Sequence, residues 1–96
     1  MSYARPVVLS YEEETLATGA DATFTVPVGT VACQIRSSDA AIGFTVQFPG
    51  GTARASVAAG APFDLPLGGP VEVAFNLAIR SISGTPTGIA AYSVRQ

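Results

Sequence analysis

Apolar and polar residues alternate along most of the chain, and glycine, proline, serine or aspartate interrupts the alternation at short intervals. This pattern is typical of antiparallel β-structure, in which successive side chains point to opposite faces of a sheet. No stretch shows the helical period of about 3.6 residues. The pattern therefore predicts an all-β protein of about eight short strands separated by turns.

The longest alternation covers residues 71–82 and predicts the best-defined strand. One face of this strand carries Val71, Val73, Phe75, Leu77 and Ile79. A second strand is expected over residues 42–48, and the turn sequence Pro49-Gly50-Gly51 after it predicts a hairpin with a return strand over residues 52–57. Further strands are expected over residues 6–11, 22–26, 31–36 and 89–94.

Residues 58–70 are less regular, because prolines interrupt them. Their large apolar side chains, Phe63, Leu65 and Leu67, still occupy alternate positions. Proline cannot donate a hydrogen bond to a β-ladder, so we expect either an edge strand or a loop that covers the sheet.

Eight short strands suit two compact architectures, the jelly roll and the immunoglobulin-like sandwich. The cysteine pair and core tryptophan of immunoglobulin domains are missing, since the chain has one cysteine and no tryptophan. We therefore expect residues 1–96 to form a single antiparallel β-sandwich or flattened barrel, jelly-roll-like rather than immunoglobulin-like. Residues 1–11 would be an edge strand or an N-terminal arm.

Residue types restrict the possible chemistry. The chain has no histidine, which excludes histidine bases and histidine-containing zinc sites. Cys33 lies on an apolar strand face and is expected to be a buried hydrophobe, whereas Glu12-Glu13-Glu14 is expected to be a solvated run. Asp21, Asp39 and Asp64 lack the close spacing of a calcium loop. The sequence therefore predicts a protein that is not an enzyme and has no cofactor, metal or catalytic residue.

The chain is 48% hydrophobic and only 12% charged, against about 25% charged residues in ordinary soluble domains. No apolar run approaches the roughly 20 residues of a membrane-spanning helix. A net charge of −2 with scattered arginines argues against nucleic-acid binding. The first residues lack the apolar core of a signal peptide, so we expect synthesis in a cytoplasm. An apolar surface covered by other subunits would account for the composition.

Two segments are the expected contact regions. We expect the N-terminal segment to add a strand to the sheet edge of a neighbour, a mode in which main-chain hydrogen bonds give the affinity. The second segment is the irregular stretch of residues 58–70. The candidate interface residues are Tyr3, Arg5, Val7, Val8, Leu9, Tyr11, Phe63, Leu65 and Leu67.

Several segments of the chain carry a resemblance to known proteins. Among them are Phe24-Thr25-Val26-Pro27, Cys33-Gln34-Ile35-Arg36-Ser37-Ser38-Asp39 and Leu77-Ala78-Ile79-Arg80-Ser81-Ile82-Ser83-Gly84. In size and strand style the chain resembles the small capsid decoration (cement) proteins and minor virion proteins of tailed bacteriophages. The resemblance implies a homo-oligomer, with a trimer favoured. It would be made in the host cytoplasm and would bind the major capsid protein or another virion protein on the capsid surface.

The alternative is a carbohydrate- or receptor-binding module of a phage tail fibre or head spike. Such a site would need exposed aromatic and carboxylate side chains close together. The three tyrosines, Tyr3, Tyr11 and Tyr92, lie at the two ends of the sequence and predict no such cluster.

Overall fold

A computed structural model describes residues 7–95, and within this range all regular secondary structure is β-strand. The eight strands are β1 (Val7–Thr15), β2 (Ala22–Val26), β3 (Thr30–Ser37), β4 (Phe44–Gln47), β5 (Arg54–Val57), β6 (Phe63–Asp64), β7 (Phe75–Ser81) and β8 (Thr87–Arg95). They form two four-stranded sheets: sheet one has the order β1-β8-β3-β6 and sheet two the order β2-β7-β4-β5. The predicted β-sandwich is confirmed.

The strand order has a simple logic. The first strand pairs with the last, the second with the seventh, the third with the sixth and the fourth with the fifth, always antiparallel. The chain is thus one long hairpin whose successive strand pairs belong alternately to the two sheets. This arrangement is a jelly roll, as the absence of the immunoglobulin residues had indicated.

The inward faces of the two sheets form one core. The fully buried or nearly buried side chains include Phe24, Val26, Cys33, Ile35, Phe44, Val46, Leu77, Ile79, Ala90 and Tyr92. Phe24 lies opposite Leu77 on β7 and reaches the other sheet at Gly88. A Cβ atom at Gly88 would lie 3.0 Å from Phe24 Cζ and 2.9 Å from Leu16 Cδ2, so the glycine makes room for both side chains.

β7 is shorter than the alternation over residues 71–82 predicted. It begins at Phe75, opposite Val26 at the end of β2. The residue that follows Val26 is Pro27, which has no N–H to extend the ladder between β2 and β7. Val71 instead exchanges backbone hydrogen bonds with Gly29 and Thr30 at the end of the sandwich. The predicted strand was therefore wrong over residues 71–74.

β1 is longer than predicted, because it continues through the three glutamates to Thr15 and pairs with β8 over its whole length. The described part of the predicted arm, Val7–Tyr11, is thus an edge strand of its own sheet. Residues 1–6 and 96 lie outside the described range. The expectation that the glutamates form a solvated run beside the strand was wrong for Glu12, whose carboxylate accepts two hydrogen bonds.

Smaller differences concern strand ends and the prolines. The strand expected over residues 42–48 is β4, Phe44–Gln47, and Phe48 beyond it is 37% exposed. A bulge between Thr30 and Ala32 in the pairing with β8 turns Thr30 inward, and its hydroxyl donates to the Pro27 carbonyl at 2.7 Å. Residues 58–70 contain the two-residue edge strand β6, and the rest of this segment has no strand, so the edge strand that was one of the two expectations is present only at Phe63–Asp64.

Candidate interaction surface

Among residues 7–95, no three His, Cys, Asp or Glu side chains are grouped so that they could hold a metal ion. Cys33 is 4% exposed, and burial, followed by the nearby Asp64 and Glu12 carboxylates, raises the pKa of its thiol to about 11. A thiolate nucleophile is therefore absent at neutral pH. No helix in the described range could span a lipid bilayer.

The outward face of sheet two is polar and internally paired. Its side chains include Thr23, Thr25, Thr45, Gln47, Arg54, Asn76 and Arg80. Asp21 beside this face binds both Arg54 and Arg80, the latter with a distance of 2.7 Å from Nε to Oδ1. Burial alone would raise the pKa of Asp21, but the hydrogen bonds from the two guanidinium groups hold it below its usual value. The Asp21 carboxylate is thus paired with both arginines of this face.

The outward face of sheet one is different, because its edge carries large apolar side chains in solvent. Val7, Leu9 and Tyr11 of β1 point outward and are 50%, 57% and 64% exposed. Val8, on the opposite face of the same strand, is 47% exposed because it lies beyond the core. We term residues 7–11, which contain these four side chains and Ser10, the apolar half of β1.

A shallow groove of about 500 Å³ crosses this face. It is lined by Leu9, Tyr11, Gln34, Arg36, Ile89 and Ala91. The small side chain of Ala91 forms the floor of the groove, and the larger side chains of Leu9 and Tyr11 form one of its walls. The groove is open to solvent, so it suits an extended ligand or a protein surface better than a small enclosed substrate.

Three hydrogen-bonded polar side chains flank the groove on the side away from β1. Arg36 Nη2 donates to Gln34 Oε1 at 2.8 Å, and Gln34 Nε2 donates to Asp64 Oδ1 at 3.1 Å. We call this set the polar row. Alternation in β3 indicates that Gln34 and Arg36 share a face, but the pairing with Asp64 joins residues 30 positions apart. No pattern in the sequence predicts that contact.

β1 also leaves one of its own edges without a strand partner among the described residues, because it is the terminal strand of sheet one. Natural proteins protect such edges with lysine, proline, bulges or charges. Val7–Thr15 contains no lysine or proline, and its pairing with β8 has no register shift. Only Glu12–Glu14 offers protection. The apolar half of β1 is therefore an unprotected edge suited to adding a strand.

Glu12 has a structural role that the sequence did not reveal. Its Oε1 accepts a hydrogen bond from the Tyr92 hydroxyl at 2.8 Å and from the Thr25 backbone N–H at 3.0 Å. It therefore links β1 and β8 of sheet one to β2 of sheet two. Burial, followed by the hydrogen bond to Glu12, raises the pKa of Tyr92 far above its usual value, so its phenol stays neutral.

The predicted interface residues fall into three groups. Tyr3 and Arg5 lie outside the described residues. Val7, Val8, Leu9 and Tyr11 are brought together on the exposed edge. Phe63, Leu65 and Leu67 pack against the core instead, because β6 pairs with β3 and turns Phe63 inward opposite Ile35. Leu65 is only 7% exposed, and Phe63 and Leu67 are partly buried, so this set presents less apolar surface than β1 does.

Two surface features thus stand out in the described range: the apolar half of β1 at an open edge, and the polar row beside the groove. Both suit the binding of another molecule, and neither brings a nucleophile and a general base together. Comparisons with known proteins add no family, since no family model, no curated protein and no solved structure matches the chain.

Proposed function

We propose that the chain is a non-enzymatic virion structural protein of the capsid decoration (cement) type. It binds the major capsid protein lattice, or another virion protein, and stabilises the shell. The apolar half of β1 and the adjoining outward face of sheet one make the contacts, both between copies of the chain and with the virion partner. This assignment of role follows the resemblance in strand style, and the surface of the chain supports the mode of binding.

The observation that carries the proposal is the exposure of Val7, Val8, Leu9 and Tyr11 on one open strand edge, each between 47% and 64% exposed. A contiguous apolar patch on a small protein usually marks an interaction site. An unpaired strand edge adds main-chain donors and acceptors that a partner strand can use. Apolar burial and backbone pairing at one place are what a permanent structural contact needs.

The composition supports the same interpretation. Charged residues make up 12% of the chain, and on sheet two Asp21 is already paired with both Arg54 and Arg80. Coverage of sheet one by virion partners would remove the apolar surface of β1 from solvent. The protein would be made in the host cytoplasm, act on the capsid surface as a homo-oligomer, and need no cofactor; the resemblance favours a trimer.

The test is co-sedimentation of the purified chain with shells assembled from the major capsid protein of the genome that encodes it. The wild type is expected to saturate at a fixed ratio to the capsid protein. Leu9→Glu would bury an unpaired charge, which costs about 3–5 kcal/mol, so shell affinity should fall by more than about 100-fold. Ile82→Glu is the matched control, because Ile82 is 58% exposed, as Leu9 is 57%, but lies in the turn between β7 and β8.

The proposal requires that Ile82→Glu bind shells as the wild type does. Failure of the wild type to bind, or an equal loss in both variants, would count against it. A source genome that encodes no capsid protein would also contradict it.

A glycan-binding module is the second candidate, because an exposed aromatic ring and polar side chains line the same groove. Tyr11 stands on one side of the groove, and the polar row with Arg36, Gln34 and the Asp64 carboxylate lies on the other. An aromatic ring can pack on the apolar face of a sugar while the polar side chains bind its hydroxyl groups.

A glycan array probed with the labelled protein tests this candidate. Specific binding that Tyr11→Ala and Asp64→Ala both abolish, and that Arg80→Ala on sheet two leaves intact, would favour the glycan-binding module over the decoration protein. An array without signal would remove this candidate.

A further inference from the structure

We infer that two copies of this chain pair through β1, antiparallel and edge to edge, about a two-fold axis beside Leu9. The two copies of sheet one then form a single continuous sheet of eight strands. This inference rests on the proposed use of β1 as a contact edge and names a second copy of the chain as its partner.

The order of residues within β1 favours a second copy. The first half of the strand is apolar, and the second half carries Glu12, Glu13 and Glu14. A parallel arrangement in register would place the two acidic runs side by side, and like charges directly opposite each other destabilise a sheet. An antiparallel arrangement separates these runs and superposes the apolar halves.

One register matches the apolar halves fully. With Leu9 on the axis, Leu9 of each copy lies opposite Leu9 of the other, Val7 opposite Tyr11, and Val8 opposite Ser10. Outward-facing residues then remain on one face, because the register preserves the period of two. Aromatic side chains opposite β-branched ones, as in the two Val7 and Tyr11 pairs, are favourable cross-strand contacts.

Charge at the ends of the paired segment agrees with this register. Arg95 lies beside Val7 on the outward face, as the partner of that residue in β8. In the pair, Tyr11 of the second copy lies on the other side of Val7, and its Glu13 follows two residues along the same face. Each end of the apolar contact therefore has a cation from one copy and a carboxylate from the other.

Pairing of identical edges is isologous, so it closes after two copies. It predicts a dimer, or a larger assembly with an even number of subunits, in place of the lone trimer that the resemblance favours. A lone trimer has no two-fold axis and cannot contain this contact. The symmetry of the assembly is therefore a direct test.

The decisive experiment is disulfide mapping with single cysteine variants of the full chain under mild oxidation. Leu9→Cys places two thiols opposite each other across the axis. The Cα atoms of antiparallel neighbours are about 4.5–5.5 Å apart, a distance that a disulfide can span. The native Cys33 gives a low background, because it is buried with its pKa raised to about 11. Since Leu9 is 57% exposed, its replacement leaves the core intact.

The expected result is a disulfide-linked dimer of Leu9→Cys that forms at least about tenfold faster than that of the exposed control Ile82→Cys, because a thiol held at the axis has a high effective concentration. A mixture of Val7→Cys and Tyr11→Cys should give the mixed dimer faster than either variant gives its own. Light scattering of the wild type should show an even number of subunits.

Equal rates for Leu9→Cys and Ile82→Cys, or a wild type that is a monomer or a trimer at all concentrations, would overturn the pairing. These outcomes are separate from the fate of the proposed function. A chain that binds shells without Leu9 cross-linking would lose only the pairing, and a chain that cross-links but ignores shells would lose only the capsid role.

Discussion

Truncation of Phe24 to alanine is expected to lower the free energy of unfolding by about 3–5 kcal/mol. The Phe24 side chain is fully buried, and it spans the core from β2 of sheet two to Gly88 of sheet one. Backbone pairing holds the strands of each sheet in place, so the two sheets cannot close fully over the space, and the loss includes a cavity as well as the transfer of the ring. A chain of this size has about 5–14 kcal/mol of total stability, so the variant would be marginal.

Urea denaturation followed by circular dichroism measures this effect, with Phe48→Ala as the matched control. Phe48 undergoes the same truncation, but it is 37% exposed and lies just beyond β4, with its ring centroid 6.1 Å from that of Phe63. We expect a loss of about 1–2 kcal/mol there, since less apolar area leaves water. Equal losses in the two variants would show that Phe24 does not couple the sheets as described.

The sequence predicted a strand well where local alternation and the following turn residues define both of its ends. Phe24 and Val26 alternate with threonines, and the turn after them begins at a proline, so β2 is readable without its partners. β7 could not be delimited in this way. The position of its first residue depends on where β2 ends, and the sequence alone does not show that Val26 pairs with Phe75, 49 positions later.

For the surface too, local pattern predicted some features, whereas others depend on which strands pair. Val7, Val8, Leu9 and Tyr11 were predicted to make contacts as part of an N-terminal segment that adds a strand to a neighbour, and the structure places them on the open edge of their own sheet. Alternation alone could not show that Phe63 faces inward, since it says which residues share a face but not which face is buried. The polar row escaped prediction because Asp64 joins it only through the pairing of β6 with β3.

The acidic run of β1 illustrates why neighbouring residues of one type need separate accounts. Glu12 faces toward the core side, since its partner on β8 is the buried Ala90, whereas Glu13 faces outward opposite Ile89. Of these two carboxylates, Glu12 can therefore reach the Tyr92 hydroxyl, which belongs to a residue 2% exposed. No property of the tripeptide itself distinguishes the two carboxylates.

Glu12→Ala is consequently expected to reduce the free energy of unfolding by about 1–3 kcal/mol, mainly because the buried Tyr92 hydroxyl loses its acceptor. The Thr25 N–H also loses its partner, but it lies at an exposed residue where water can replace the carboxylate. Urea denaturation at neutral pH gives the measurement. Glu13→Ala removes the same charge from the adjacent outward position and should change stability by less than about 0.5 kcal/mol.

A double-mutant cycle separates the hydrogen bond from the effect of charge. In a Tyr92→Phe background the donor is gone, so the further change Glu12→Ala should cost much less than it does in the wild type, by about 1 kcal/mol or more. Additive losses would mean that the carboxylate and the phenol do not act together. Losses of equal size for Glu12→Ala and Glu13→Ala would instead attribute the effect to the net charge of β1. The expected coupling would identify Glu12 as the residue that holds the edge strand β1 to the rest of the sandwich, and thus keeps the apolar half of β1 in place for its partner.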